Sequence, residues 1–91
     1  MSTLLIGYDL NKAKDYPALH NAVKDLGVAW WHHLDSTWLV KTSMTATAAR
    51  DVLKLHIDAD DELLVIDVTA DSRAWAGFNT GASKWLKETF Q

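Results

Sequence analysis

The chain contains no cysteine, one proline and four glycines. Without cysteine there is no disulfide and no thiolate metal site. That usage fits a reducing compartment, and a cytoplasmic location is the expectation. No apolar run approaches the roughly 18 residues of a membrane span. The N-terminal stretch lacks the basic start and long apolar segment of a secretory signal, so none is expected. The glycines are too sparse to cradle a phosphate: Gly77 and Gly81 follow no suitable strand. No nucleophilic serine elbow is present. Basic residues are also in the minority, 9 against 12 acidic ones, for a formal net charge of −3. This balance argues against a broad nucleic-acid-binding surface, which shows as a basic excess, but leaves a local groove open.

What the chain does have is tryptophan. The segment Trp30-Trp31-His32-His33-Leu34-Asp35-Ser36-Thr37-Trp38 holds three of the five tryptophans and two of the four histidines. Burying one tryptophan side chain removes about 150–250 Å² from water, roughly 4–6 kcal/mol gross. A domain of this size has a net stability of roughly 5–10 kcal/mol, so the placement of these rings matters.

The 91 residues read as one domain, with a core over residues 1–69 and a C-terminal extension over 70–91. Residues 3–10 are apolar and β-leaning, a strand buried on both faces. Asp15 is a plausible N-cap, Pro17 suits a first helical turn, and Leu19, Ala22, Val23 and Leu26 follow helical spacing. Gly27 stops that helix as a C′ residue. Residues 28–34 and 37–42 are rich in aromatic and β-branched residues and flank Asp35-Ser36, the loop of a hairpin. Ser43 or Thr45 caps a second helix with Ala49, Val52, Leu53 and His56 on its apolar face. Residues 62–69 form a further strand. Ala82, Trp85, Leu86 and Phe90 share one face of a short terminal helix.

The order β-α-β-β-α-β predicts an α+β, ferredoxin-like fold. Its antiparallel sheet carries both helices on one face and leaves the other open. With a two-residue loop, His33 pairs with Trp38 and Trp31 with Val40. Ala29, Trp31, His33, Trp38 and Val40 then share the helix-covered face, and Trp30, His32, Leu34 and Leu39 the open one. A loop one residue longer changes this pairing. An exposed patch of this kind marks a partner surface. A homodimer through Trp30, His32, Leu34 and Leu39 is the economical cover. The alternative is that Trp75, Phe78 and Trp85 fold back within the chain. Stacking of nucleic-acid bases on Trp30 is a third use.

For chemistry, Asp9 stands at the end of the first strand. A carboxylate there can hold a hard cation such as magnesium, above all if a dimer brings two copies together. The competing reading is a loop cap assisted by Asn11. His32 and His33 are adjacent on a strand, point to opposite faces, and cannot chelate one ion together. Either can pair with Asp35 or a partner chain as a ligand or general base, but packing is the commoner role. His20 and His56 read as structural. Asp58, Asp60, Asp61 and Glu62 lack the spacing and central glycine of a calcium loop. Asp67 reads as facing solvent.

The apolar first strand ending in Tyr8-Asp9-Leu10, the element order, and Asp60-Asp61-Glu62 before an apolar strand resemble the small CRISPR adaptation proteins and the VapD-type ribonucleases. The resemblance spans roughly the first 69 residues. It implies a ferredoxin-like homodimer in which Asp9 faces its mate across the interface and serves a magnesium-dependent nuclease acting on RNA or DNA. It also implies the other role found in that group, a non-catalytic scaffold. The chain is similar as well to a group of small bacterial proteins with the same hairpin, a likeness that implies a fold and no particular activity.

Overall fold

The computed structural model describes residues 1–10 and 16–89. Asn11, the expected cap Asp15 and the expected face residue Phe90 lie outside the described residues. Strand β1 spans Ser2–Asp9, helix α1 Pro17–Asp25, β2 Ala29–Leu34, β3 Thr37–Thr42, α2 Ala46–Lys54, β4 Glu62–Asp67 and α3 Thr80–Thr89. The four strands form one antiparallel sheet in the order β2-β3-β1-β4. β1 and β2 run parallel with β3 between them, and β3 and β4 run parallel with β1 between them. This is the ferredoxin-like α+β fold expected from the sequence.

Local signals account for the helices. α1 begins with Pro17, whose missing N–H costs nothing in the first turn, and buries Leu19 and Val23. α2 is capped by Thr45, whose hydroxyl accepts from the Ala48 N–H at 3.1 Å. α3 is capped by Asn79, whose Oδ1 accepts from the Ala82 N–H at 2.9 Å. Gly27 is a different case from the expectation. The only positive φ among the described glycines belongs to Gly77, so Gly27 is not a left-handed C′ residue. It is needed because the chain passes against β3: a Cβ there would lie 1.9 Å from the Lys41 carbonyl oxygen.

The sheet separates two cores. On its inner face Leu4, Ile6, Trp38 and Val40 pack against Leu19, Val23 and Leu26 around α1 and Ala49 and Leu53 from α2. On its outer face Trp31 and Leu39 pack against Ala82 and Leu86 of α3, with Leu5, Val68, Trp75, Phe78 and Trp85 around them. The outer face is therefore covered in part by the chain's own C-terminal segment. Two polar contacts clamp α3 there: the Trp31 indole donates to the Ala82 carbonyl at 3.2 Å, and the Lys41 ammonium donates to the Thr89 carbonyl at 2.7 Å. The second places a cation on the negative end of α3.

A two-residue loop with unbroken alternation predicts Trp31 on the inner face, and the structure puts it on the outer one. The Asp35-Ser36 loop does close the hairpin, with Leu34 opposite Thr37. A bulge between Trp31 and Leu34 then shifts the register, so that Trp31 faces Leu39 and Trp30 faces Val40. One extra residue on one strand flips every side chain beyond it. The two histidines part at the bulge: the His32 ring stacks on Trp38 at 3.7 Å and 13°, while His33 lies 5.2 Å from Trp31.

Candidate functional site

The same shift divides the expected dimer surface. Trp30 and His32 belong to the inner, α1 side, and Leu34 and Leu39 to the outer side. Leu39 is buried under α3 and is not a free surface residue. The four residues do not form one face.

Around α1, the rings make a connected cluster. The Trp38 Nε1–H donates to the Tyr8 hydroxyl at 3.0 Å, and that hydroxyl lies 3.3 Å from His20 Nε2. The hydroxyl thus accepts from the indole and shares a second hydrogen bond with the imidazole. The His20 and His32 rings stand edge to face at 5.9 Å. The Lys24 ammonium sits 4.8 Å above the Trp30 ring, which is 43 % exposed. His32 Nε2 donates to the Asp35 carbonyl at 3.0 Å. The arrangement holds the hairpin against α1. The sequence pattern alone does not pair Tyr8 and His20 with the tryptophans. A partial signal exists: Tyr8 alternates in phase with Leu4 and Ile6, and His20 precedes Val23 by one helical turn.

Asp9 is exposed at the end of β1, paired in register with Glu62 of β4. Because paired residues share a face, both residues belong to the outer face of the sheet. Asp58, Asp60 and Asp61 form a separate group, with ligand atoms within 4.8 Å of one another. That group already works within the turn. Asp61 Oδ2 accepts from the Tyr16 hydroxyl at 3.1 Å and from the Asp58 N–H at 2.8 Å. Asp9 and Glu62 supply two carboxylates, enough to anchor a largely hydrated magnesium ion and too few to cage a calcium.

The outer face has two regions. Across the end nearest the hairpin turn runs the row Leu34, Thr37, Gly7 and Leu64, one residue from each strand. This end stays open: Leu34 is 47 % exposed, Leu64 56 %, and Ile66 in the adjoining row 42 %. Next to this strip, a cleft of about 530 Å³ opens between the sheet and the segment over residues 68–78. Its walls are Leu5, Trp31, Leu39, Val68, Trp75 and Phe78. The Trp31 and Phe78 rings meet edge to face at 4.9 Å and 87°. Arg73 pins the covering segment by donating to the backbone carbonyls of Thr69 at 3.2 Å and Asp71 at 2.6 Å. No family model and no curated protein matches this chain.

Proposed function

We propose that the protein is a non-catalytic, homo-oligomeric binding or scaffold module. The observation that carries this reading is the uncovered apolar strip of Leu34, Leu64 and Ile66 on the outer sheet face. The hairpin contributes Leu34 to it, and the rest comes from β4. Face packing is favoured over edge pairing for a charge reason. Two antiparallel copies of β4 centred on Leu64-Val65 would set Glu62 opposite Asp67 twice, and like charges directly opposed are destabilising. The strip is small beside the 1,200–2,000 Å² buried in a standard stable interface, so the association is weak and concentration-dependent. Equilibrium sedimentation tests it. The wild type should show a reversible dimer at tens to hundreds of micromolar, and Leu64→Glu should be monomeric with unchanged circular dichroism. A wild type that stays monomeric throughout that range overturns the reading.

The Asp9–Glu62 carboxylate pair favours a second reading, a magnesium-dependent nuclease. Packing of two copies through the neighbouring strip would gather four carboxylates and so strengthen cation binding. The pair would hold the ion, which would activate water for phosphodiester cleavage. Single-stranded RNA and double-stranded DNA incubated with magnesium or with chelator decide it. Cleavage that is absent, or that Asp9→Asn leaves unchanged, removes this reading and leaves the scaffold.

A further inference from the structure

We infer that the cleft between the outer sheet face and the covering segment is a binding site for a neutral, ring-bearing small molecule with one polar end. Its volume of about 530 Å³ falls within the roughly 300–1,000 Å³ of small-molecule sites. Its depth is apolar and aromatic, from Leu5, Trp31, Val68 and Phe78. Such walls suit the face or edge of a planar ring.

The polar lining groups set the rest of the chemistry. Asp71 and Arg73 both line the cleft, so it carries no net sign and does not select an ion. The hydroxyls of Thr37 and Ser72 also line it, and neither is engaged by another described residue. They offer donors and acceptors to a hydroxyl, amide or ring nitrogen on the ligand.

A peptide segment is a poorer occupant for a physical reason. On the sheet side the cleft is lined by Leu5 of β1, Trp31 and Leu34 of β2, and Leu39 of β3, so a ligand there meets side chains on the face of the sheet. A peptide backbone laid there would leave its N–H and C=O groups without ladder partners, a cost of the order of a kcal/mol or more for each group. A ring system has no such groups to satisfy. The strip proposed for self-association shares Leu34 with this lining, but its Leu64 and Ile66 lie outside it.

The probe is 2-naphthol, a neutral two-ring molecule with one hydroxyl, titrated into the full ¹⁵N-labelled chain. The expected result is saturable binding below millimolar, with shifts centred on the Leu5 and Val68 amides and the Trp31 indole N–H. Ala76→Trp and, separately, Ala74→Trp add bulk at exposed lining positions and should weaken binding by about tenfold or more, a factor equal to about 1.4 kcal/mol. Leu64→Glu should leave the affinity unchanged, which separates this site from self-association. Naphthalene-2-sulfonate, the charged comparator, should bind less well. Shifts that never saturate, that scatter over the surface, or that persist equally in both tryptophan variants overturn the assignment, as does tighter binding of the sulfonate.

Discussion

Replacing Trp31 by alanine tests the two-sided sheet most directly. The indole is 4 % exposed and sits between the outer sheet face and α3. Its burial removes on the order of 200 Å² from water, roughly 5 kcal/mol gross at 25 cal/mol per Å². Partial collapse of the site brings the cost of such a truncation to about 3–5 kcal/mol. The hydrogen bond to the Ala82 carbonyl contributes about 1 kcal/mol of that. A total near 4 kcal/mol is a large share of the roughly 5–10 kcal/mol of net stability of such a domain. The loss should be local first, because Trp31 ties α3 to the sheet and takes no part in the inner core. Urea unfolding followed by circular dichroism gives the global figure, and amide hydrogen exchange gives its distribution. In Trp31→Ala the amides of α3 should exchange far faster while those of β1 and β3 keep more of their protection. Trp31→Phe, which keeps most of the apolar contact and drops the N–H, should cost about 1–2 kcal/mol. Trp30→Ala removes a ring that is 43 % exposed and should cost less than Trp31→Ala. A Trp31→Ala protein within about 1 kcal/mol of wild type, or one whose α3 stays as protected as β1, would refute the assignment of Trp31 to the outer core.

Gly27→Ala should destabilise by about 2–3 kcal/mol in urea unfolding, since its Cβ would overlap the Lys41 carbonyl that accepts from the Val28 N–H; a neutral effect would show that the chain can part there at no cost. Tyr8→Phe strips partners from both the Trp38 indole and His20 in a half-buried site and should cost about 1–3 kcal/mol; the chemical shift of the Trp38 indole N–H reports whether that bond is lost. The Asp67 carboxyl is held below the usual carboxylate range, first by the Thr69 hydroxyl at 2.5 Å and then by the Thr69 N–H at 3.0 Å. A depressed folded-state pKa means that this contribution to stability is present above the unfolded value near 3.8 and is lost as pH falls through the lower folded value. NMR titration of the Asp67 carboxyl should show a midpoint that rises in Thr69→Val, and equal midpoints in the two proteins would rule out the hydroxyl as the cause.

Much of the fold is legible in local pattern. Leu19, Val23, Ala49 and Leu53 announce two amphipathic helices, and all four are buried. The alternation of Leu4 and Ile6 on β1, and of Trp38 and Val40 on β3, places those four side chains in the inner core. Thr45 as a cap and Asp35-Ser36 as a turn follow from side-chain chemistry alone. The candidate sites are less legible. The cleft joins Leu5 to Trp75 and Phe78 across some seventy residues, and no local spacing records that meeting. The acid pair of Asp9 and Glu62 depends on the register of β1 against β4, which the sequence leaves unspecified. The helical start of α3 at Thr80 relies on Asn79 as its cap, a signal present in the chain but easily passed over beside Gly77 and Gly81.

By itself the sequence determined the order of the elements, and with it the split β-α-β topology, because apolar periodicity and turn chemistry are local properties. Tertiary structure decided the faces of the hairpin. Trp30-Trp31 and His32-His33 are pairs of like residues, so either register puts one tryptophan and one histidine on each side, and the hydrophobic pattern is degenerate. The tie is broken by contacts far away in the chain. The Trp31 indole reaches Ala82 and Lys41 reaches Thr89, docking α3 on the outer face, while the bulge turns His32 onto Trp38 beside α1. A single inserted residue reverses every side chain beyond it, and only the completed packing on both sides of the sheet selects where that residue goes.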